Sequence, residues 1–135
     1  MKVLFVHERW GAFGGAESNV LVTASELQRR GHTIGIIHGP STGRAEERWS
    51  ETFTHRFPLA ENGSDNEARV SAAVGVFQPD TVYVHKTADL GALRSLTQCG
   101  APLVRMVHDH DLYCMRSYKY RYVSRRPCLR AASPW

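Results

Sequence analysis

Apolar side chains enter this chain in two alternating rhythms. The first is a short unbroken run: Lys2-Val3-Leu4-Phe5-Val6-His7 reads as a buried strand. The second has helical spacing. After a turn punctuated by Gly11, Gly14 and Gly15, Ala16, Val20, Ala24 and Leu27 recur on one face, with Leu21 alongside. Glu17 falls in the first turn of that helix and Arg29 and Arg30 in its last, as the helix dipole favours. Gly31 is a natural stop. Thr33 to His38, with Ile34, Ile36 and Ile37, returns to the strand rhythm. A strand–helix–strand unit of this kind builds a parallel sheet.

The alternation continues less cleanly. Residues 39–50 are polar, with a short helix expected around Ala45 to Trp49. Phe53 to Leu59 reads as an edge strand, because Pro58 fits poorly in a central one. Ser64-Asp65-Asn66-Glu67 has the form of a capping box, starting a helix whose apolar face is Val70, Ala73, Val74 and Phe77. Pro79 follows it, and Thr81-Val82-Tyr83-Val84-His85 reads as a central strand. Leu90, Leu93 and Leu96 mark another helix, ended by Gly100, and Leu103 to Val107 is the last strand expected. The fold class predicted is α/β: a Rossmann-like, mostly parallel sheet with helices on both faces. Residues 1–111 form that domain. Beyond Asp111 the periodicity fails, and 112–135 reads as an incomplete end of the same domain, a basic segment holding tyrosines and cysteines.

Composition narrows the class. At 135 residues, with 42% hydrophobic and 22% charged side chains, the chain is large enough for one real core and is not a disordered polymer. No apolar run approaches the roughly 20 residues of a membrane helix, and the opening run is too short for a signal peptide. Three cysteines, an odd number, point to a reducing compartment, so the expected address is the cytoplasm. The net charge of +4 is unevenly placed. Arg116, Lys119, Arg121, Arg125, Arg126 and Arg130 carry all of the excess, with no acid among them.

Four features carry candidate chemistry. In open parallel sheets, ligands bind outside the carboxyl ends of the strands. Three expected strands run into histidine there, at His7, His85 and His108. The turn Gly11 to Glu17 lets backbone approach a ligand closely and offers a helix N-terminus to an anion. It also reads simply as a tight turn, and it has neither the P-loop nor the G-x-G-x-x-G spacing. His108-Asp109-His110-Asp111 alternates sides in an extended segment, so one histidine in the crevice is a better reading than a metal cluster. Cys114 and Cys128 lack the close pairing of zinc ligands and read as two reduced thiols, with a loosely spaced metal site including His110 as the alternative; Cys99 reads as a core residue. The basic tract, interleaved with Tyr113, Tyr118, Tyr120 and Tyr122, suits an anionic substrate, a membrane surface or nucleic acid, and equally a solvated face. His32, His38 and His55 have no assigned role.

The order of these motifs resembles the N-terminal domain of the family-4 retaining glycosyltransferases, which have the two-Rossmann-domain GT-B fold. The carriers are Lys2 to Val6 leading to Gly14-Gly15-Ala16-Glu17, and a helix ending Leu27-Gln28-Arg29-Arg30-Gly31-His32. Further along come Gln78-Pro79-Asp80 before a strand ending in His85, Ala101-Pro102-Leu103-Val104, and His108-Asp109 followed by Cys114. The resemblance implies an enzyme of polysaccharide biosynthesis that moves a sugar from a nucleotide-sugar donor to an acceptor with retention. It implies that His108 is the catalytic histidine contacting the transferred sugar. Gly14, Gly15, Glu17, His85 and Asp109 would then serve donor and acceptor binding. No metal or resident cofactor is expected, and no nucleic acid. The acceptor is expected to be anionic or lipid-linked, with the chain peripheral to the inner membrane face. The family's nucleotide-binding C-terminal domain is not among these residues, so the expectation is a fragment inactive without it.

Two other classes stay open on the residues alone. One is a non-catalytic module that binds nucleic acid through residues 116–130. The other is a nicotinamide-dependent Rossmann enzyme, disfavoured by the glycine spacing and by the absence of an acid closing the second strand.

Overall fold

Residues that are apolar on both sides of an extended run can only be satisfied between two layers. In the computed structural model, which describes residues 1–61, 63, 65–108 and 120–128, that is where these runs lie. In β1 (Lys2–His7), Val3 and Phe5 point to one face and Leu4 and Val6 to the other, all buried. The chain continues through α1 (Gly15–Arg29), β2 (Thr33–His38), α2 (Glu46–Thr52), β3 (His55–Pro58), α3 (Asn66–Phe77), β4 (Thr81–Lys86), α4 (Leu90–Gln98) and β5 (Leu103–Arg105). The five strands are all parallel, in the order β3-β2-β1-β4-β5. A separate antiparallel pair, β6 (Tyr120–Arg121) and β7 (Arg126–Pro127), belongs to the basic tract.

Each face of the sheet carries its own core. Val3, Phe5, Ile34 and Ile36 meet Val20, Leu21 and Ala24 of α1 and Trp49 of α2 on one side, with Trp10 and Phe53. Leu4, Val6, Ile37, Val82 and Val84 meet Val70, Ala73 and Phe77 of α3 and Ala92 and Leu96 of α4 on the other. The predicted three-layer α/β architecture is therefore the observed one.

Local differences have identifiable causes. The edge strand expected from Phe53 begins only at His55, because the Phe53 N–H donates to the Trp49 carbonyl (2.7 Å) and closes α2. Its ring turns into the core against Phe5 and Trp49. The last strand stops at Arg105 rather than Val107; after one more hydrogen bond, from Met106 N–H to the Val84 carbonyl, the chain leaves the ladder. β5 is an edge, with Leu103 37% and Val104 49% exposed. The capping box expected to start at Ser64 lies outside the described residues; the next residue, Asp65, takes a left-handed conformation with no side-chain cap. Asn66 accepts from the Ala60 N–H (2.7 Å) and donates to Asp89 (2.7 Å), while Asp89 caps α4 through the Ala92 N–H.

Candidate functional site

The sheet places the carboxyl ends of all five strands on one rim, and the β1–α1 turn opens there. Gly14, in extended backbone, precedes α1, and its N–H donates to Glu17 Oε2 (2.8 Å). The other carboxylate oxygen lies 3.2 Å from His7 Nε2, the final residue of β1. Both side chains are buried. Burial pulls the His7 pKa below its ordinary value, and Glu17 only partly restores it. Burial would raise the Glu17 pKa, but its own N–H, His7 and the Gly14 N–H outweigh that and hold it low. At neutral pH this pair is therefore a carboxylate accepting from a neutral imidazole. Its negative charge sits in the first turn of α1, where the helix dipole favours it. A Cβ on Gly15 would meet no atom within 4 Å, and one on Gly14 would meet only Glu17. Both glycines are exposed, so the backbone of the turn is open to an approaching ligand.

The neighbouring strand carries the second part. β1 and β4 pair in register to Val6 and Val84, and then His7 pairs with Lys86. His85 is thus the surplus residue of a bulge, a device that re-aims side chains at a sheet rim. Its ring is 1% exposed. It stacks on Phe5 (5.5 Å between centroids) and packs against Tyr83 (4.4 Å). On its outer side lies His108, with 2.9 Å between His85 Nδ1 and His108 Nε2, so one of these nitrogens donates to the other. Burial lowers the His85 pKa to about 4, helped by the nearby His108, His7 and Arg105. His85 is consequently a neutral, fixed backing for an exposed His108. Among the described residues, His7 Nδ1, His85 Nε2 and two nitrogens of Arg105 are buried with no hydrogen-bond partner.

Two loops are laced together beside the glycine turn. Gly39 N–H donates to the His7 carbonyl, Trp10 N–H to Pro40, Thr42 N–H to Trp10, and Ala12 N–H to Arg44. Two glycines allow this approach. Gly11 has φ +100°, and a Cβ there would strike Thr42 and the Arg44 carbonyl. A Cβ on Gly39 would run into the Glu8 carbonyl oxygen. Gly39→Ala is therefore expected to cost about 2 kcal/mol in urea unfolding, since backbone must give way. A loss under about 0.5 kcal/mol would show that the loops separate freely.

The structure brings Gly14, Gly15, Glu17, His7, His85 and His108 to one rim; Asp109, His110, Asp111 and Cys114 lie outside the described residues. So do residues 112–119 and 129–135, with Arg116, Lys119 and Arg130, which leaves the boundary proposed at Asp111 unplaced. Cys99 follows α4 and packs, half-buried, against the core. Among the described residues no group of three or more His, Cys, Asp or Glu could hold a metal ion, and no helix is long and apolar enough to cross a membrane. His38, given no role above, ends β2 and packs on Trp10 (4.6 Å); its place after an unbroken apolar run was the available signal. Arg105 had no such signal.

The profile of the protein family described as Glycosyltransferase Family 4 matches residues 13–135, from the glycine turn onward. Comparison with curated proteins and with solved structures gave no match.

Proposed function

The chain belongs to glycosyltransferase family 4, and from that membership we propose that it is the N-terminal, acceptor-side half of an enzyme that transfers a sugar from a nucleotide-sugar donor with retention at the anomeric carbon. The observation that carries this reading is the convergence of the open glycine turn and the His85–His108 pair on one rim of the sheet. In it, Gly14 and Gly15 let the donor's diphosphate approach the start of α1, where backbone dipoles stabilise the charge that develops as it departs. No resident cofactor or metal has a role in this reading. His108 contacts the transferred sugar. His85 holds His108 in place, and Glu17, locked between Gly14 and His7, positions the turn instead of touching substrate. Asp109 follows His108 in the chain and completes the acceptor side. The basic tract goes with an anionic or lipid-linked acceptor at the inner face of a membrane.

The test is turnover, with labelled nucleotide sugars, by the longest polypeptide encoded through these residues and by the 135-residue chain alone. Transfer is expected from the first only, because donor binding belongs to the second half. His108→Ala should lower the rate about a hundredfold, the scale of losing one positioned polar group at a reacting centre. Turnover by the chain alone, or none from the longer polypeptide, would overturn the proposal.

A further inference from the structure

Between the laced loops lies a cleft of about 250 Å³, lined by Arg9, Phe13, Pro40, Ser41, Thr42 and Arg44. Two cationic side chains flank it, and among the described residues neither forms an ion pair with an acid. The nearby carboxylates are engaged elsewhere. Glu46 accepts from Ser41 and from the Gly43 N–H, and Glu8 lies beside Lys86. The Arg9 guanidinium lies 4.1 Å over the face of Phe13, a cation–π contact that fixes its plane and leaves its N–H edge available. Phe13 is 63% exposed, so a large aromatic ring stands at the lip with only one face covered by Arg9. The floor is rigid, being made of the backbone hydrogen bonds that join Trp10, Ala12, Pro40, Thr42 and Arg44.

We infer that this cleft is a binding site for a saccharide carrying one anionic group, a carboxylate or a phosphate. Guanidinium groups take such anions through paired, charge-assisted hydrogen bonds. Thr42, half-buried at the base, supplies a hydroxyl, and the free face of Phe13 supplies an apolar platform for the sugar ring. Phe13 immediately precedes Gly14, so a sugar held here lies next to the turn assigned to the donor. The inference thus rests on the proposed function where it identifies this saccharide as the acceptor. It gives Arg9 and Arg44 a part in recognising the acceptor's anionic group beside the part proposed for the basic tract.

The experiment is calorimetric titration of the chain with methyl glucuronide, glucose-6-phosphate and, as the uncharged control, methyl glucoside. Both anionic sugars are expected to bind in the millimolar range and the control at least tenfold more weakly. Arg44→Gln, at an exposed position that leaves the core untouched, should weaken both anionic sugars about tenfold, as should Arg9→Gln. Phe13→Ala should weaken them less, and Arg94→Gln, an exposed change of the same charge on α4, should have no effect. Equal binding of the neutral sugar, no binding of either anionic sugar, or anionic binding indifferent to Arg9 and Arg44, would overturn the inference. The two readings fail separately. Binding that depends on Arg44, without transfer by the longer polypeptide, removes the enzyme and keeps the cleft; transfer without such binding removes only the cleft.

Discussion

Replacing Trp49 with alanine is expected to destabilise the protein by about 3–5 kcal/mol, a large part of the stability of a domain this size. Trp49 is among the largest fully buried side chains. Its ring meets Trp10 edge-on (5.4 Å), Phe53 (5.6 Å) and His7 (6.2 Å). The seven residues of α2 are too few to hold a helix in water by themselves, so docking must hold it. Trp49 and Phe53 are its anchors. Removing the indole leaves a cavity under the laced loops that the rigid β1–β2 ladder cannot collapse to fill. Urea unfolding at neutral pH measures the loss. Trp49→Phe, keeping most of the volume, should cost markedly less. A cost below about 1 kcal/mol for the alanine variant would mean that α2 is held by other contacts.

Acid should weaken the protein through His85, by about 3 kcal/mol between pH 6.5 and about 4. In the unfolded chain this imidazole takes up its proton near its ordinary value of 6.5, and in the fold only near 4. Between those values the unfolded chain binds more protons, so stability falls as pH falls. The contribution is complete above 6.5 and gone below about 4. The cause is the enclosure between Phe5, Tyr83 and His108, with Arg105 and His7 adding positive charge nearby. His7, shifted the same way by burial, steepens the loss. Thermal melts across this range should fall steadily for the native chain. They should fall less steeply for His85→Phe, which keeps the stack and removes this titration while leaving that of His7. A native profile level from about pH 7 to about pH 5 would refute the assignment.

The sheet was legible wherever burial on both faces forced an unbroken apolar run. Val3 to Val6 and Ile34 to Ile37 are such runs; His7 at the end of the first marked the rim together with His85 and His108, whereas His38 at the end of the second had no role assigned. Glu17 was legible as a first-turn acid, but its grip on His7 was not, because that contact depends on how α1 packs over β1. Asp89 was not singled out as the cap of α4, and its hydrogen bond with Asn66, 23 positions away, leaves no mark in a local four-residue pattern. The bulge at His85 leaves no trace in periodicity, because one surplus residue at a strand end shifts nothing downstream. Arg9 and Arg44 stand 35 positions apart in unremarkable polar loops, and only the lacing of those loops makes them neighbours.

The two margins of the sheet are unlike. β3 is shielded by exposed His55 and Arg56 and by Pro58, which has no N–H to offer another strand. β5 has no such guard among the described residues, and Leu103 and Val104 there are partly open to water. Among the described residues the two margins are thus unequal: the backbone of β5 is left as one that a further strand could pair with, and that of β3 is not.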